Sequence, residues 1–203
     1  MRAPRTPLLL GAGLLSAGLL GMTGTGTLSA VMAQVVTSPN TASLGRMVLE
    51  LRSDRKGEAA CSSAEALDDV FVCKTIQPLG GRDDLLPGEP AVTSITVVNS
   101  GTIDPSTLTL QSDECAPTGS PADDESKKAF ETICRQISVR VEVEGEVLFD
   151  GPVAKLAGAV LPLPAPRQGE SERVSFTTTA SKELGNAYQG LGISVPMTWT
   201  FQQ

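Results

Sequence analysis

The chain has 203 residues and contains no histidine. That absence removes Ser-His-Asp and Cys-His nucleophile systems, HExxH zinc sites and imidazole general bases together. No CxxC spacing is present either, so a zinc site lacks its usual ligand pattern. Gly80-Gly81 is followed by neither Lys-Ser nor Lys-Thr, and a phosphate-cradling loop is excluded. Ser53 and Lys56 form an SxxK, yet no SDN or KTG accompanies it, and a polar turn after a strand is the simpler reading. The acid pairs Asp68-Asp69, Asp83-Asp84 and Asp123-Asp124 come without a DxDxDG-like loop. Since Ca²⁺ takes about six to eight oxygens, solvated loops and helix starts account for them better. Aromatic residues are scarce, at 3%. The lone tryptophan, Trp199, has apolar neighbours two residues away on both sides, which places it in a core rather than on a sugar-binding platform.

What is present begins with an export signal. Arg2 and Arg5 precede an uncharged apolar stretch of 15 residues, Leu8 to Met22. A spanning helix needs about 20 such residues, so this segment reads as a leader rather than an anchor. Small residues then offer a signal peptidase two cuts, after Ala30 or after Ala33. Removal of Arg2 and Arg5 leaves 14 of the 16 basic residues against 23 acidic ones, a formal charge of −9. An exported chain this acidic repels phosphate backbones and anionic lipid, so neither nucleic acid nor a membrane surface is an expected partner. The remaining residues suffice for one domain, expected over 41–203, preceded by a short N-terminal segment, 31–40.

Period-2 patterning dominates that domain. Val139, Val141 and Val143 alternate with Arg140, Glu142 and Glu144, which predicts a strand with one buried face. Glu144-Gly145-Glu146 turns it back into Val147, Leu148 and Phe149 as a hairpin. Ile193, Val195, Met197, Trp199 and Phe201 alternate in the closing run, where Pro196 predicts an edge or a bulge. Further strands are expected at Arg46–Leu51, Ala91–Asn99, Thr107–Gln111 and Glu172–Thr179. They are separated by turns at Leu86-Pro87-Gly88-Glu89 and Asn99-Ser100-Gly101 and by a proline-rich loop from Pro162 to Gly169. Seven or so short strands predict a mainly β, antiparallel two-sheet sandwich of immunoglobulin-like kind.

Two short helical insertions are expected in it. Ser62 with Glu65 forms a capping box ahead of Ala66, Leu67 and Val70. Ser120-Pro121 caps a second helix, with Ala129, Phe130 and Ile133 as its apolar stripe. The four cysteines, Cys61, Cys73, Cys115 and Cys134, form an even set in an exported chain and predict two disulfides. Three connectivities are possible. The local pairs Cys61–Cys73 and Cys115–Cys134 are favoured because each closes a short polar excursion, stabilising the fold by about 3 kcal/mol apiece in the chain-entropy model.

Several segments, in order, resemble the TasA and camelysin family of secreted fibre proteins of bacterial biofilm matrices. The leader's Gly24-Thr25-Gly26-Thr27-Leu28-Ser29-Ala30 is similar to the family's GT-x-A ending. Ser43 to Leu51 resembles its first mature strand. Leu86-Pro87-Gly88-Glu89 through Asn99-Ser100-Gly101-Thr102 is similar to its L-x-PGD, strand, N-x-G-x signature, and Asn186-Ala187-Tyr188-Gln189-Gly190 to its closing N-x-[YF]-QG. The four cysteines, the 115–134 excursion and the absence of a GTLDL run depart from that pattern. The resemblance implies a jelly-roll-like sandwich, secreted to the exterior or surface of a bacterium, whose subunits join by donor-strand complementation.

Val31, Met32, Ala33, Gln34, Val35, Val36 and Thr37 suit the donor role, being uncharged and partly β-branched and lying ahead of Ser38-Pro39. An unstructured tail or an intramolecular strand are the alternatives for this segment. The expected function is accordingly a non-catalytic, self-associating fibre subunit with no cofactor, whose other partner is the signal peptidase. A monomeric adhesive domain is the second reading. A camelysin-type metalloprotease is the third, disfavoured because only carboxylates, thiolates and carbonyls remain to hold a metal.

Overall fold

A computed structural model of the chain describes residues 44–58, 60–65, 73–80 and 85–203. Within them the strands are β1 (Leu49–Ser53), β2 (Cys61–Ser62), β3 (Pro90–Asn99), β4 (Thr107–Ser112), β5 (Ala116–Thr118), β6 (Ile137–Val143), β7 (Glu146–Pro152), β8 (Val160–Leu163), β9 (Ser171–Ala180), β10 (Gly192–Ser194) and β11 (Met197–Gln202). Two α-helices, α1 (Asp124–Gln136) and α2 (Val153–Leu156), accompany them. The larger sheet has the order β2-β1-β3-β9-β6-β7 and the smaller β11-β4-β8, while β5 and β10 form a separate ribbon. Every ladder is antiparallel.

The two sheets enclose one core. Ile95, Val97, Val139, Val141, Val174 and Phe176 point inward from the larger sheet, and Leu108, Leu110, Leu161 and Leu163 from the smaller. The protein is therefore an antiparallel β-sandwich, and alternation explains it: Leu108 and Leu110 are 1% exposed while Thr107 and Gln111 on either side of them face solvent. The hairpin forms where it is expected. Glu144 (φ 50°) and Gly145 (φ 87°) both take the left-handed backbone that a two-residue primed turn requires. Leu86-Pro87-Gly88-Glu89 closes as a turn through Glu89 N–H to the Leu86 carbonyl (3.1 Å), with Gly88 at φ 80°.

One end of the sandwich is tied by Asn99, which is fully buried. Its Nδ2 donates to the carbonyls of Ile103 (3.0 Å) and Pro166 (3.3 Å), and its Oδ1 accepts from Gly101 N–H (3.0 Å). The first contact lies in the crossing from β3 to β4 and the second in the crossing from β8 to β9, so one side chain ties together two of the sheet-to-sheet connections. Gly101 packs against the backbone of Arg46 to Val48, leaving no room for a Cβ. Here Ser100 N–H donates to Val48 O and Thr102 N–H to Arg46 O, which extends the pairing of the expected 46–51 strand ahead of Leu49.

Several boundaries differ from the sequence reading. The expected cap of α1 at Ser120 moves to Asp123, whose side chain accepts from Ser126 N–H (2.8 Å) while Ser126 Oγ accepts from Asp123 N–H (2.9 Å). This reciprocal pair satisfies two helix-end donors at once, and Ser120 offers no equivalent. Ser62 Oγ accepts from Ala64 N–H within a 3₁₀ turn, Ser63–Glu65, rather than capping an α-helix at that point; the expected helical stretch Ala66 to Val70 lies outside the described residues. The helix that replaces it in the count, α2, buries Val153 and Leu156 between β7 and β8. The closing run is two strands, because Pro196 ends β10, which pairs with β5, and its carbonyl then accepts from Asp113 N–H as β11 begins along β4. Of the expected loop from Pro162 to Gly169, the first two residues, Pro162 and Leu163, instead end the strand β8.

Candidate assembly surface

The disulfides are Cys61–Cys73 and Cys115–Cys134, with Cα atoms 5.7 and 6.1 Å apart, and no cysteine is free. Both are the local pairs. Cys61 lies opposite Leu51 on β2 and is buried in the core, so its bridge ties Cys73 to the edge of the larger sheet. Cys134 lies in α1 and Cys115 just before β5, so the second bridge holds the helix against the ribbon. Tyr188 Oη adds a contact to Thr132 of the same helix (3.1 Å) from the 3₁₀ turn Asn186–Tyr188.

The edges of the two main sheets differ in how they end. β2 is only two residues long before the 3₁₀ turn. β7 carries Glu146 and Asp150 and a register shift opposite Val141/Glu142. Short length, charge and bulges are all features that discourage further pairing. On β8, Ser112 N–H of β4 donates to the Ala159 carbonyl (3.2 Å), so the alternation of the ladder turns the backbones of Val160 and Pro162 away from β4. Pro162 thus places a residue without an N–H on the free side.

β11 is different. Asp113 N–H donates to the Pro196 carbonyl (2.9 Å), one residue beyond the Ser112–Met197 pair on each strand. Such a bond flanks a non-hydrogen-bonded pair, so the main-chain N–H and C=O of Met197, Trp199 and Phe201 point away from β4. Among the described residues β11 pairs on one side only, and from Met197 to Gln202 it contains neither charge nor proline. The side chains of Met197, Trp199 and Phe201 pack on the core yet are only half-buried, with Trp199 meeting Phe176 edge to face at 6.3 Å. Trp199 is thus a core residue at the margin of the sandwich.

The other sequence candidates do not converge. Ser53 Oγ accepts from Arg55 N–H in the turn after β1, and Lys56 is exposed. Asp123 is occupied as the cap of α1, and its carboxyl is held below the usual carboxylate range, first by the Ser126 backbone N–H. Asp124 pairs with Lys127 at 2.8 Å. Burial, and then the nearby Glu144 carboxylate, push the Glu172 carboxyl up. Among the described residues no group of three or more His, Cys, Asp or Glu is placed to hold a metal, and no helix is long and apolar enough to cross a membrane. Asp68, Asp69, Asp83, Asp84, the leader and Val31 to Thr37 lie outside the described residues. Sequence reasoning missed the contrast between the β8 and β11 edges; its one signal was Leu161 and Leu163 alternating with prolines. Comparison with models of protein families and with characterised proteins finds no match to this chain.

Proposed function

We propose that the chain is an exported structural subunit of an extracellular fibre of the biofilm-matrix type, with no catalytic activity, assembling through its N-terminal segment 31–37. The observation that supports this best is the unequal sandwich. Six strands face three, apolar side chains stay half-covered at the margin of the smaller sheet, and the chain carries a separate uncharged, β-prone segment of seven residues. The leader-like start and two disulfides agree with an oxidising compartment. A jelly-roll-like connectivity and donor-strand complementation belong to the same reading, through the resemblance to the TasA and camelysin family. With no histidine and every cysteine bridged, a protease centre would have only carboxylates and carbonyls as ligands.

Deletion of residues 31–38 is expected to leave a folded monomer that forms no fibres by electron microscopy. Unchanged polymerisation would refute the role of the segment. A stable monomer of the intact chain at high concentration, with a saturable ligand, would mark an adhesive domain instead, and chelator-sensitive casein cleavage would overturn the non-catalytic assignment.

A further inference from the structure

We infer that β11 is the acceptor edge: in the assembled state residues Val31–Thr37 of a second copy pair with the outward main-chain groups of Met197, Trp199 and Phe201. The inference rests on the reading of the chain as a self-assembling subunit and adds to it the place where the added strand lies. Four edges bound the two main sheets among the described residues, and three carry a feature that resists pairing: two residues of length in β2, acids with a register shift in β7, and Pro162 on the free side of β8. β11 carries none. It presents three consecutive outward N–H and C=O pairs over six uncharged residues, and an incoming strand can satisfy all of them.

The segment 31–37 matches that edge in length and lack of charge: seven uncharged residues against six. As a strand it sets Val31, Ala33 and Val35 on one face and Met32 and Val36 on the other, so either face brings apolar groups to the half-covered flank of Met197, Trp199 and Phe201. The smaller sheet then has four strands opposite the six of the larger one.

Hydrogen exchange read by NMR on the exported chain, as monomer and after assembly, tests this residue by residue. In the monomer the amides of Met197, Trp199 and Phe201 exchange fast, while those of Thr198 and Thr200, bonded to β4, exchange slowly. On assembly the first three slow by at least about 100-fold and the other two change little. Emission from Trp199, the one tryptophan of the chain, shifts to shorter wavelength in the same step. Fibres in which the three amides stay fast would overturn the acceptor assignment and leave the fibre reading intact. Protection already complete in the monomer would show β11 covered within its own chain, and protection retained by the variant lacking 31–38 would show pairing between β11 strands; either overturns the inference. If the chain forms no fibres, the fibre reading fails; a synthetic Val31–Thr37 peptide that then leaves the three amides and the Trp199 emission unchanged overturns the acceptor as well.

Discussion

Replacement of Asn99 by alanine is expected to destabilise the sandwich by about 2–4 kcal/mol, far more than its position at the end of a strand would suggest. The side chain is 0% exposed and makes three hydrogen bonds, all to main-chain groups. Alanine leaves the Gly101 N–H and the carbonyls of Ile103 and Pro166 without that partner. A net loss near 1 kcal/mol for each bond, with a further cost wherever water cannot reach the orphaned group, gives the stated range. For a chain of this size it corresponds to a melting point lower by about 6–12 °C. Asn99→Asp should be at least as harmful, because it removes both donors and aims a carboxylate at two carbonyls. The assay is urea unfolding at neutral pH with the disulfides intact, followed by Trp199 fluorescence and repeated by circular dichroism. Ser100→Ala, at the exposed neighbouring residue, serves as the control and should stay within about 0.5 kcal/mol of the parent. A cost below about 1 kcal/mol for Asn99→Ala would refute the idea that this side chain holds the two crossings together.

Three further outcomes follow from the packing. Thr178 is 3% exposed and its Oγ1 has no hydrogen-bond partner among the described residues, so Thr178→Val should be neutral or stabilising by about 1 kcal/mol in the same urea titration; a loss larger than that would mean the hydroxyl has a partner. Gly101→Ala should lower the yield of folded protein and cost at least about 2 kcal/mol, since a Cβ there would lie 2.6 Å from Val48 N and closer still to the Arg46 carbonyl, both rigid backbone; wild-type stability would show that the 46–48 segment yields. The Glu172 carboxyl is raised by burial and by Glu144, so its charged form opposes folding above the ordinary carboxylate pKa, and that penalty fades as pH falls through the raised value. Glu172→Gln should therefore raise the melting point at pH about 7 and gain progressively less toward pH about 4; an equal gain at both pH values would assign the effect to packing instead.

The parts of the fold that the sequence revealed are those where one physical signal acts alone. Val139, Val141 and Val143 alternate without interruption, and Glu144-Gly145 can supply two left-handed residues, so the hairpin was legible, with strand ends that differ by one to three residues. Leu161 and Leu163 alternate too, but Pro162 and Pro164 mask them; only the neighbouring strand shows that Pro162 sits where its missing N–H is not needed. Pro196 misleads in the opposite direction, since an unbroken apolar alternation hides the switch of partner from β5 to β4. At α1 the serine before the proline is a reasonable cap, and the Asp123–Ser126 pair outcompetes it with two bonds. The pairing of the cysteines was favoured by spacing and is borne out. Which sheet edge is open could not be read, because it depends on hydrogen-bond phase along β4, a property of three strands together.

The two disulfides also set how the protein responds to tension. A pull between Gly45 and Gln203 straightens the chain only along its covalent load path, and each bridge removes a loop from that path. The separations are 12 and 19 residues, so about 40 Å and about 65 Å of fully extended chain stay locked behind Cα–Cα spans of 5.7 and 6.1 Å. Stretched past the loss of its sheets, the molecule therefore stops short by roughly 90 Å of the length its sequence would otherwise reach. The segment held back by the longer loop includes β5 and most of α1, and its ends at Cys115 and Cys134 stay together at any extension short of breaking a covalent bond.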